Sequence, residues 1–334
     1  MEPPNPLVVQ QAAAKLRDGG IVAFPTETVY GLGADALSAA AVRRVFELKS
    51  RPVHNPLIVH VTGDAMARRV VREWPDDAQL LARAFWPGPL SIVLHAAAIV
   101  PSEVVGGPRD SAATVAVRCP DHPVALALLF AFGAPLVGPS ANRSGGVSPT
   151  TAEHVRSEFS DGEVMVLDGG PCITGIESTV VFLGEESTER DAGARVLRPG
   201  IVSAEQISAV LGRTVAGPAD GHHDRPLRSP GLLESHYAPR TPARIVVACE
   251  AARIAAEEPR AALLAFSLPP SAPAIATMIQ MPRTADLYAA RLYAALREAD
   301  SLNAAFIAVE TPPTQGAVWS AIWDRLRRAT TPRR

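Results

Sequence analysis

Lysine is almost missing from this chain: Lys15 and Lys49 are the only two, and every other member of the 32 lysine and arginine residues is arginine. An arginine and alanine bias of this kind follows coding composition, so a retained lysine is mildly informative about a need for a compact ammonium. Lys15 reads as an ordinary helix-surface residue, which limits that argument to Lys49. Cysteine is scarce as well. Cys119, Cys172 and Cys249 are far apart and odd in number, which argues against a disulfide framework and against a thiolate zinc site. A reducing, cytoplasmic setting is expected. There is no excess of charge, since the formal net is -2, so no global attraction to nucleic acid or anionic membrane is predicted and such binding would need a local patch. Long apolar runs are also lacking: residues 124–137 are broken by Gly133 and Pro135 and are too short to span a bilayer. The first residues do not show the basic and then apolar layout of a signal peptide, and no membrane role is expected. No fixed-period repeat, no GxxxxGK[ST] and no GxGxxG is found, and Gly138-Pro139-Ser140 does not make a GxSxG elbow. A nucleotide bound here would be held mainly by side chains.

What is present is an alternation of helix and strand in a chain of 334 residues that is 47% hydrophobic, enough for a large core and two domains. Asn5 caps a helix that has Pro6 at its first position and stops at Gly19 and Gly20. Ser38 caps another, with Val42, Val45, Phe46 and Lys49 at helical spacing. Further helices are predicted over 77–85 and 123–132, and strands over 21–24, 57–61, 90–94, 114–118, 136–138, 164–167, 179–183 and 195–197. GEESTERDAGA reads as a polar hairpin or loop. From 212 to 242 the pattern dissolves into Gly, Pro, His and Arg, an interdomain linker. His222 and His223 lie in it, where a solvated loop is favoured over a metal site. Strands over 244–247, 262–266 and 305–309 and helices over 285–298 and 317–328 follow. The expected architecture is α/β: a catalytic domain over 1–211, the linker over 212–242, and a small second α/β domain over 243–334.

Three polar motifs stand where apolar runs end, which in α/β proteins is where ligands are held. They are PTETVYGLG (25–33), KSRPVHNPLIVHV (49–61) and PSANRSG (139–145). In the first, Thr26, Thr28 and Tyr30 offer hydroxyls, Glu27 a carboxylate, and two glycines a close backbone approach to a ligand; a tight turn with satisfied hydroxyls is the alternative. In the second, Lys49 and Arg51 close a helix stopped by Pro52, where compensation of its dipole is one reading, yet Asn55 and His60 flank the next strand and add hydrogen-bonding groups beside them. Arg118 ends another strand, while Ser140, Asn142, Ser144 and Ser148 follow a third. The PSANRSG loop suits a phosphate or a structural turn equally. Cations and small donors recurring at strand ends suit a polyphosphate or carboxylate site.

With FWPGPLSIVL, VAVRCPDHP, IESTVV, RPG and SPGLLESHYAP, these motifs follow the order found in the YrdC-like family, and the chain resembles its longer form with an appended C-terminal domain over almost its whole length. The resemblance implies a YrdC-like open twisted sheet domain, a linker and a Rossmann-like appendage. It implies a threonylcarbamoyl-AMP synthase, a nucleotidyltransferase that turns L-threonine, bicarbonate and ATP, with Mg2+, into threonylcarbamoyl-adenylate and pyrophosphate. A threonylcarbamoyl transferase complex would then carry the group to the tRNA adenosine beside the anticodon. By the same resemblance Thr28, His60, Arg118 and Ser178 hold threonine or its carbamate. Arg51, Asn55, Thr114, Ser140, Ser148 and Arg198 hold ATP, Lys49 is the first cation of the lysine and arginine motif, and Asn142 completes the serine and asparagine motif. Ser229 reaches the nucleotide, and His236 and Tyr237 help shut the linker over the site. Leu232, Leu233 and Glu234 depart from the family's methionine and its more aromatic or basic middle, which bears on the lid contacts. Lys49 and Arg51 are the expected catalytic cations, with no resident protein-held metal.

Two other readings compete. One is a carbamoyl-adenylating enzyme using carbamoyl phosphate, whose family carries acylphosphatase-like and zinc-finger regions not found here. The other is a double-stranded RNA-binding protein with a basic concavity. For the second domain, structural support of the linker is expected, with Arg325, Arg327 and Arg328 forming a solvated helix end or, less simply, contacting RNA or a partner.

Overall fold

The computed structural model describes residues 4–108, 110, 112–160, 162–184, 193–217, 236–266 and 276–332. Ser229, the histidine pair at 222 and 223, most of GEESTERDAGA and the body of the expected linker lie outside the described residues.

The first part of the chain runs α1 (Pro6–Arg17), β1 (Val22–Phe24), β2 (Gly31–Asp35), α2 (Ala39–Lys49), β3 (Ile58–His60), α3 (Asp64–Ala67), α4 (Asp76–Phe85) and β4 (Leu90–His95). It continues through α5 (Ser102–Val105), β5 (Thr114–Arg118), α6 (Pro123–Phe132), β6 (Leu136–Val137), α7 (Ala152–Arg156), β7 (Met165–Val166), β8 (Thr179–Leu183), β9 (Ala194–Arg198) and α8 (Ala204–Leu211). Asn5 and Ser38 cap α1 and α2 as expected, each accepting a backbone N–H through its side chain. Nine strands make one mixed sheet in the order β7-β1-β2-β6-β3-β5-β4-β8-β9.

Strand alternation divides this sheet into two faces. Ala23, Leu32, Val59, Ile92, Val117, Val137 and Val181 pack on one face with Val42, Val45 and Phe46 of α2 and Leu81 of α4. Phe24 and Leu136 meet α1 and α6 on the other, where Ile58, Ala116 and Val180 also lie. Because Val59 and Val117 are committed to the first face, His60 and Arg118 must lie on the second. They stand directly opposite one another where the parallel strands β3 and β5 end.

The strand β2 was not expected, since GLGAD reads locally as a turn. Tertiary packing explains it. Gly31 and Gly33 stand across from Phe24 and Val22, and a Cβ at either would come within about 3.0 Å of the Phe24 ring. The two glycines therefore make room for an aromatic ring, a packing demand beside the expected ligand approach or turn.

The second part runs β10 (Ala243–Val246), α9 (Ala248–Glu257), β11 (Ala261–Ala265), β12 (Thr277–Gln280), α10 (Ala285–Ser301), β13 (Phe306–Glu310) and α11 (Ala317–Thr330). Its four strands are all parallel, in the order β10-β13-β11-β12. Alternation works again. Leu264, Ile307 and Val309 face α10 and α11, whereas Leu263, Ala265 and Ala308 face α9, so helices cover both sides as a buried parallel sheet requires. The helix α9 and strand β12 had no strong local pattern to announce them. Val29, Val147 and Ile176 of the first part share an apolar cluster with Tyr237 and the helices of the second, so the two sheets are joined by a common core.

Candidate active site

A pocket opens on the second face of the large sheet. Its walls include Thr28, Arg51, His60, Arg118, Ser140, Ser178, Arg198, His236 and Tyr237, nine residues singled out from sequence. It also includes Thr26 and Glu177. His60 and Arg118 enter from the ends of β3 and β5, Ser178 from just before β8, and Arg198 from the end of β9.

Arg118 is fixed from three sides. Its Nε donates to Gly88 O at 3.2 Å, one terminal nitrogen donates to Thr28 Oγ1 at 2.9 Å, and the other forms a 2.6 Å ion pair with Glu27 Oε1. Glu27 in turn accepts the Asp121 N–H at 3.0 Å. Thr26 completes the cluster through a 2.9 Å hydrogen bond with Thr28. The guanidinium is thus presented to the pocket as a preorganised fork suited to a carboxylate. His60 is neutral beside it, because burial and the Arg118 charge push its pKa down to about 3. Its Nδ1 has no protein partner.

At the opposite wall, Arg198 donates twice to Ser178 O, at 3.1 and 3.0 Å, and once to Ser178 Oγ at 3.2 Å, which in turn bonds Ser91. Arg51 is held by the carbonyls of Asn55 and Pro56, and burial lowers its pKa to about 10. Three guanidiniums and one carboxylate, Glu177, therefore line the pocket among the described residues.

Other expected residues lie around the pocket rather than in its wall. Lys49 is fully enclosed, and its ammonium donates to Ser140 O at 2.6 Å and to Asn142 O. Burial, then the Arg51 charge, lowers its pKa well below the usual lysine value. Asn142 donates to Arg143 O and Gly146 O, shaping the same loop. Asn55 is buried with neither side-chain atom partnered by protein. Ser148 is buried one layer back and donates to Glu177 Oε1 at 2.7 Å. Thr114 begins β5 on the same face as Arg118, which ends it, about 13 Å away at strand rise, and it does not line the pocket.

The second domain reaches this site, which corrects the expectation for α11. Arg325 is not solvated: it is buried and donates through Nε to Glu177 Oε2 at 3.1 Å, while Tyr293 Oη donates to the same oxygen at 2.9 Å. Arg328 is engaged by Asp324 within the helix. Burial alone would raise the Glu177 pKa, but the Arg325 and Arg198 charges and the Ser148 hydroxyl hold it below the usual carboxylate range. Tyr237, at φ 60°, stacks on Tyr293 with Arg325 over its ring, and His236 packs edge-on against it. His236 is kept neutral, its pKa lowered to about 3, chiefly by burial. Glu27 and Glu177 sat inside quoted motifs, and a carboxylate among hydroxyls and arginines was their available signal. Tyr293 and Arg325 had none.

Among the described residues no group of three or more His, Cys, Asp and Glu is arranged to hold a metal, and no helix is long and apolar enough to cross a membrane.

The Sua5/YciO/YrdC family model, described as telomere recombination, matches residues 14–200, and the model described as threonylcarbamoyl-AMP synthase, C-terminal domain, matches residues 202–331. The threonylcarbamoyl-AMP synthase of Bacillus subtilis is 38% identical over 336 residues, covering 96% of this chain and 92% of its own length. That of Pyrococcus abyssi is 44% identical over 232 residues, 69% of this chain and 65% of the relative. Among solved structures, Pyrococcus abyssi Sua5 complexed with L-threonine aligns with a TM-score of 0.87 at 36% identity, covering 98% of this chain and 96% of that one.

Proposed function

Since this chain belongs to the Sua5/YciO/YrdC family in its form with a threonylcarbamoyl-AMP synthase C-terminal domain, we propose that it is a nucleotidyltransferase converting L-threonine, bicarbonate and ATP into threonylcarbamoyl-adenylate, pyrophosphate and water. The observation that carries this reading is the convergence of Arg51, Arg118 and Arg198 with Thr28, His60 and Ser178 on one pocket. The product is an activated acyl group. Its role is to supply a transferase complex that modifies the tRNA adenosine next to the anticodon, in the cytoplasm.

The chemistry needs little from the protein beyond placement and charge. The threonine amine adds to the carbon of bicarbonate, water leaves, and a carbamate is formed. A carbamate oxygen then attacks the α-phosphorus of ATP in line, the bond to the bridging oxygen breaks, and pyrophosphate departs. Both reactants are anions. At about 4 Å a charge pair is worth roughly 4 kcal/mol at an effective dielectric near 20, so a few guanidiniums can offset the repulsion. Arg118, braced by Glu27, is assigned the threonine carboxylate or the carbamate, and neutral His60 and Ser178 are assigned hydrogen bonds to the same substrate. Arg51 and Arg198, with Ser140, are assigned the phosphates. His236 and Tyr237 close the pocket and keep water from an intermediate that it would destroy. The protein donors do not build a magnesium cage, because Glu177 is already engaged by Ser148, Tyr293 and Arg325. Magnesium is therefore assigned to the phosphate oxygens as part of the nucleotide substrate.

The test is pyrophosphate release from ATP with magnesium and bicarbonate, comparing threonine with serine, glycine and no amino acid. Threonine-dependent release is expected. Release indifferent to threonine, or its absence, would overturn the assignment and turn attention to carbamoyl phosphate and then to RNA.

A further inference from the structure

Glu177 is the lining carboxylate of the pocket, yet two of its three side-chain partners belong to the other domain. Oε1 accepts from Ser148 at 2.7 Å, and Oε2 accepts from Tyr293 of α10 at 2.9 Å and from Arg325 of α11 at 3.1 Å. Arg325 also grips backbone. Its guanidinium donates to Glu177 O at 3.2 Å and to Pro199 O at 2.6 Å. Those carbonyls belong to the neighbours in sequence of Ser178 and Arg198, two pocket residues already bonded to each other. Asp324 orients the fork from behind through a 2.9 Å ion pair. A single arginine of the second domain thus ties together the two segments that carry the wall of the pocket.

We propose that Arg325 and Tyr293 are positioning residues for the adenylating pocket, acting through Glu177 on Ser148 and through the backbone on Ser178 and Arg198. The second domain then completes the active site rather than only propping up the linker. The physical reason is the cost of a half-satisfied buried carboxylate. Without Tyr293 and Arg325, Glu177 would retain Ser148 and turn toward Arg198, a cation lining the same pocket. That would draw the guanidinium off Ser178 and displace it from the nucleotide. Domain adhesion alone does not need this arrangement, since the apolar cluster of Val29, Val147, Ile176 and Tyr237 with α10 and α11 already joins the two parts.

The inference rests on the adenylate-forming reading of the pocket, and its test separates the two. Full-length Tyr293→Phe, which removes one hydroxyl and keeps the ring, is compared with wild type, with Ser148→Ala and with the double variant. Arg325→Lys, which keeps the charge but loses the fork, is measured alongside as a second probe. ATP binding is measured directly by calorimetry, and pyrophosphate release gives KM and kcat. Tyr293→Phe is expected to weaken ATP binding and raise its KM about three- to tenfold, part of one charge-assisted hydrogen bond. The threonine KM should move less than twofold, with an unfolding midpoint close to wild type. Ser148 bonds Oε1 of Glu177 and Tyr293 bonds Oε2, so a smaller effect of Tyr293→Phe in the Ser148→Ala background would report coupling through Glu177. Wild-type ATP affinity in both Tyr293→Phe and Arg325→Lys, or full additivity with Ser148→Ala, would overturn the proposal. Wild-type protein that binds ATP but shows no threonine-dependent release would instead overturn the function assigned above.

Discussion

Lys49→Met distinguishes a loop-fixing lysine from a phosphate-binding one. The end of α2 and the loop after β6 are laced together by four bonds: Lys49 Nζ to Ser140 O and to Asn142 O, Ser144 N to Lys49 O, and an Arg143 nitrogen to Leu48 O. Methionine keeps the length of the side chain and its apolar stem, so the change removes the ammonium and strands two carbonyls. A hydrogen bond to a charged group contributes about 1.5–3 kcal/mol, and relief of the buried charge offsets part of two such bonds. A net loss of about 2–4 kcal/mol is expected. Urea unfolding of the full-length protein should therefore show a clearly lower midpoint with an unchanged slope, and pyrophosphate release should fall because Ser140 is no longer held. An unfolding midpoint equal to wild type, combined with a tenfold or larger rise in the ATP KM, would refute this reasoning and put the ammonium on the phosphates.

Arg118→Lys replaces a three-way fork by a point charge, and loss of the contacts to Gly88, Thr28 and Glu27 should raise the threonine KM about 10- to 100-fold, with initial rates at varied threonine as the check. An unchanged threonine KM would remove Arg118 from the threonine subsite. Glu27→Gln breaks a buried ion pair and should cost about 3–5 kcal/mol in urea unfolding, partly recovered by added threonine if its carboxylate takes the vacated place. A midpoint within error of wild type would contradict the bracing role. Buried neutral His60 and His236, with pKa values lowered to about 3, bind protons less readily than in the unfolded chain, where the value is about 6.5. Their contribution is complete above about pH 6.5 and is lost as pH falls toward 3, at up to roughly 1.4 kcal/mol per pH unit for each. Unfolding midpoints at pH 7 and pH 5 in His60→Gln and His236→Gln should show a weaker acid loss than in wild type.

Much of the fold was legible because the signals were local. The caps Asn5 and Ser38, the stop at Gly19, and the apolar runs that became β4, β5 and β8 each contain their own reason for forming. The strand β2 was not legible, because its glycines answer to a ring on a neighbouring strand. The same division holds in the site. Arg118 and His60 could be paired from their places at two strand ends, whereas Arg325 looked like one of several arginines on a polar helix end. Its burial depends on Glu177, 148 positions away in the chain, and no local pattern records such a partner. Thr114 is named by the resemblance alone, and no local pattern ties the first residue of β5 to its last.

The ring of Phe24 has an evolutionary consequence. It occupies space that Cβ atoms at Gly31, Gly33 and Gly138 would need, and Gly138 is closed off further by His60, whose Nδ1 would lie 2.5 Å from such an atom. Four positions on three strands or strand ends are thereby tied into one epistatic set. Alanine at Gly31 is expected to be harmful while phenylalanine remains at 24 and tolerable once a smaller residue replaces it, whereas at Gly33 the Val22 carbonyl oxygen, 2.9 Å from such a Cβ, remains in the way. At Gly138 that compensation fails, because the imidazole remains in the way. Drift can therefore rewrite Gly31 together with the ring, but Gly33 is held by the backbone of β1 and Gly138 by the pocket's own histidine.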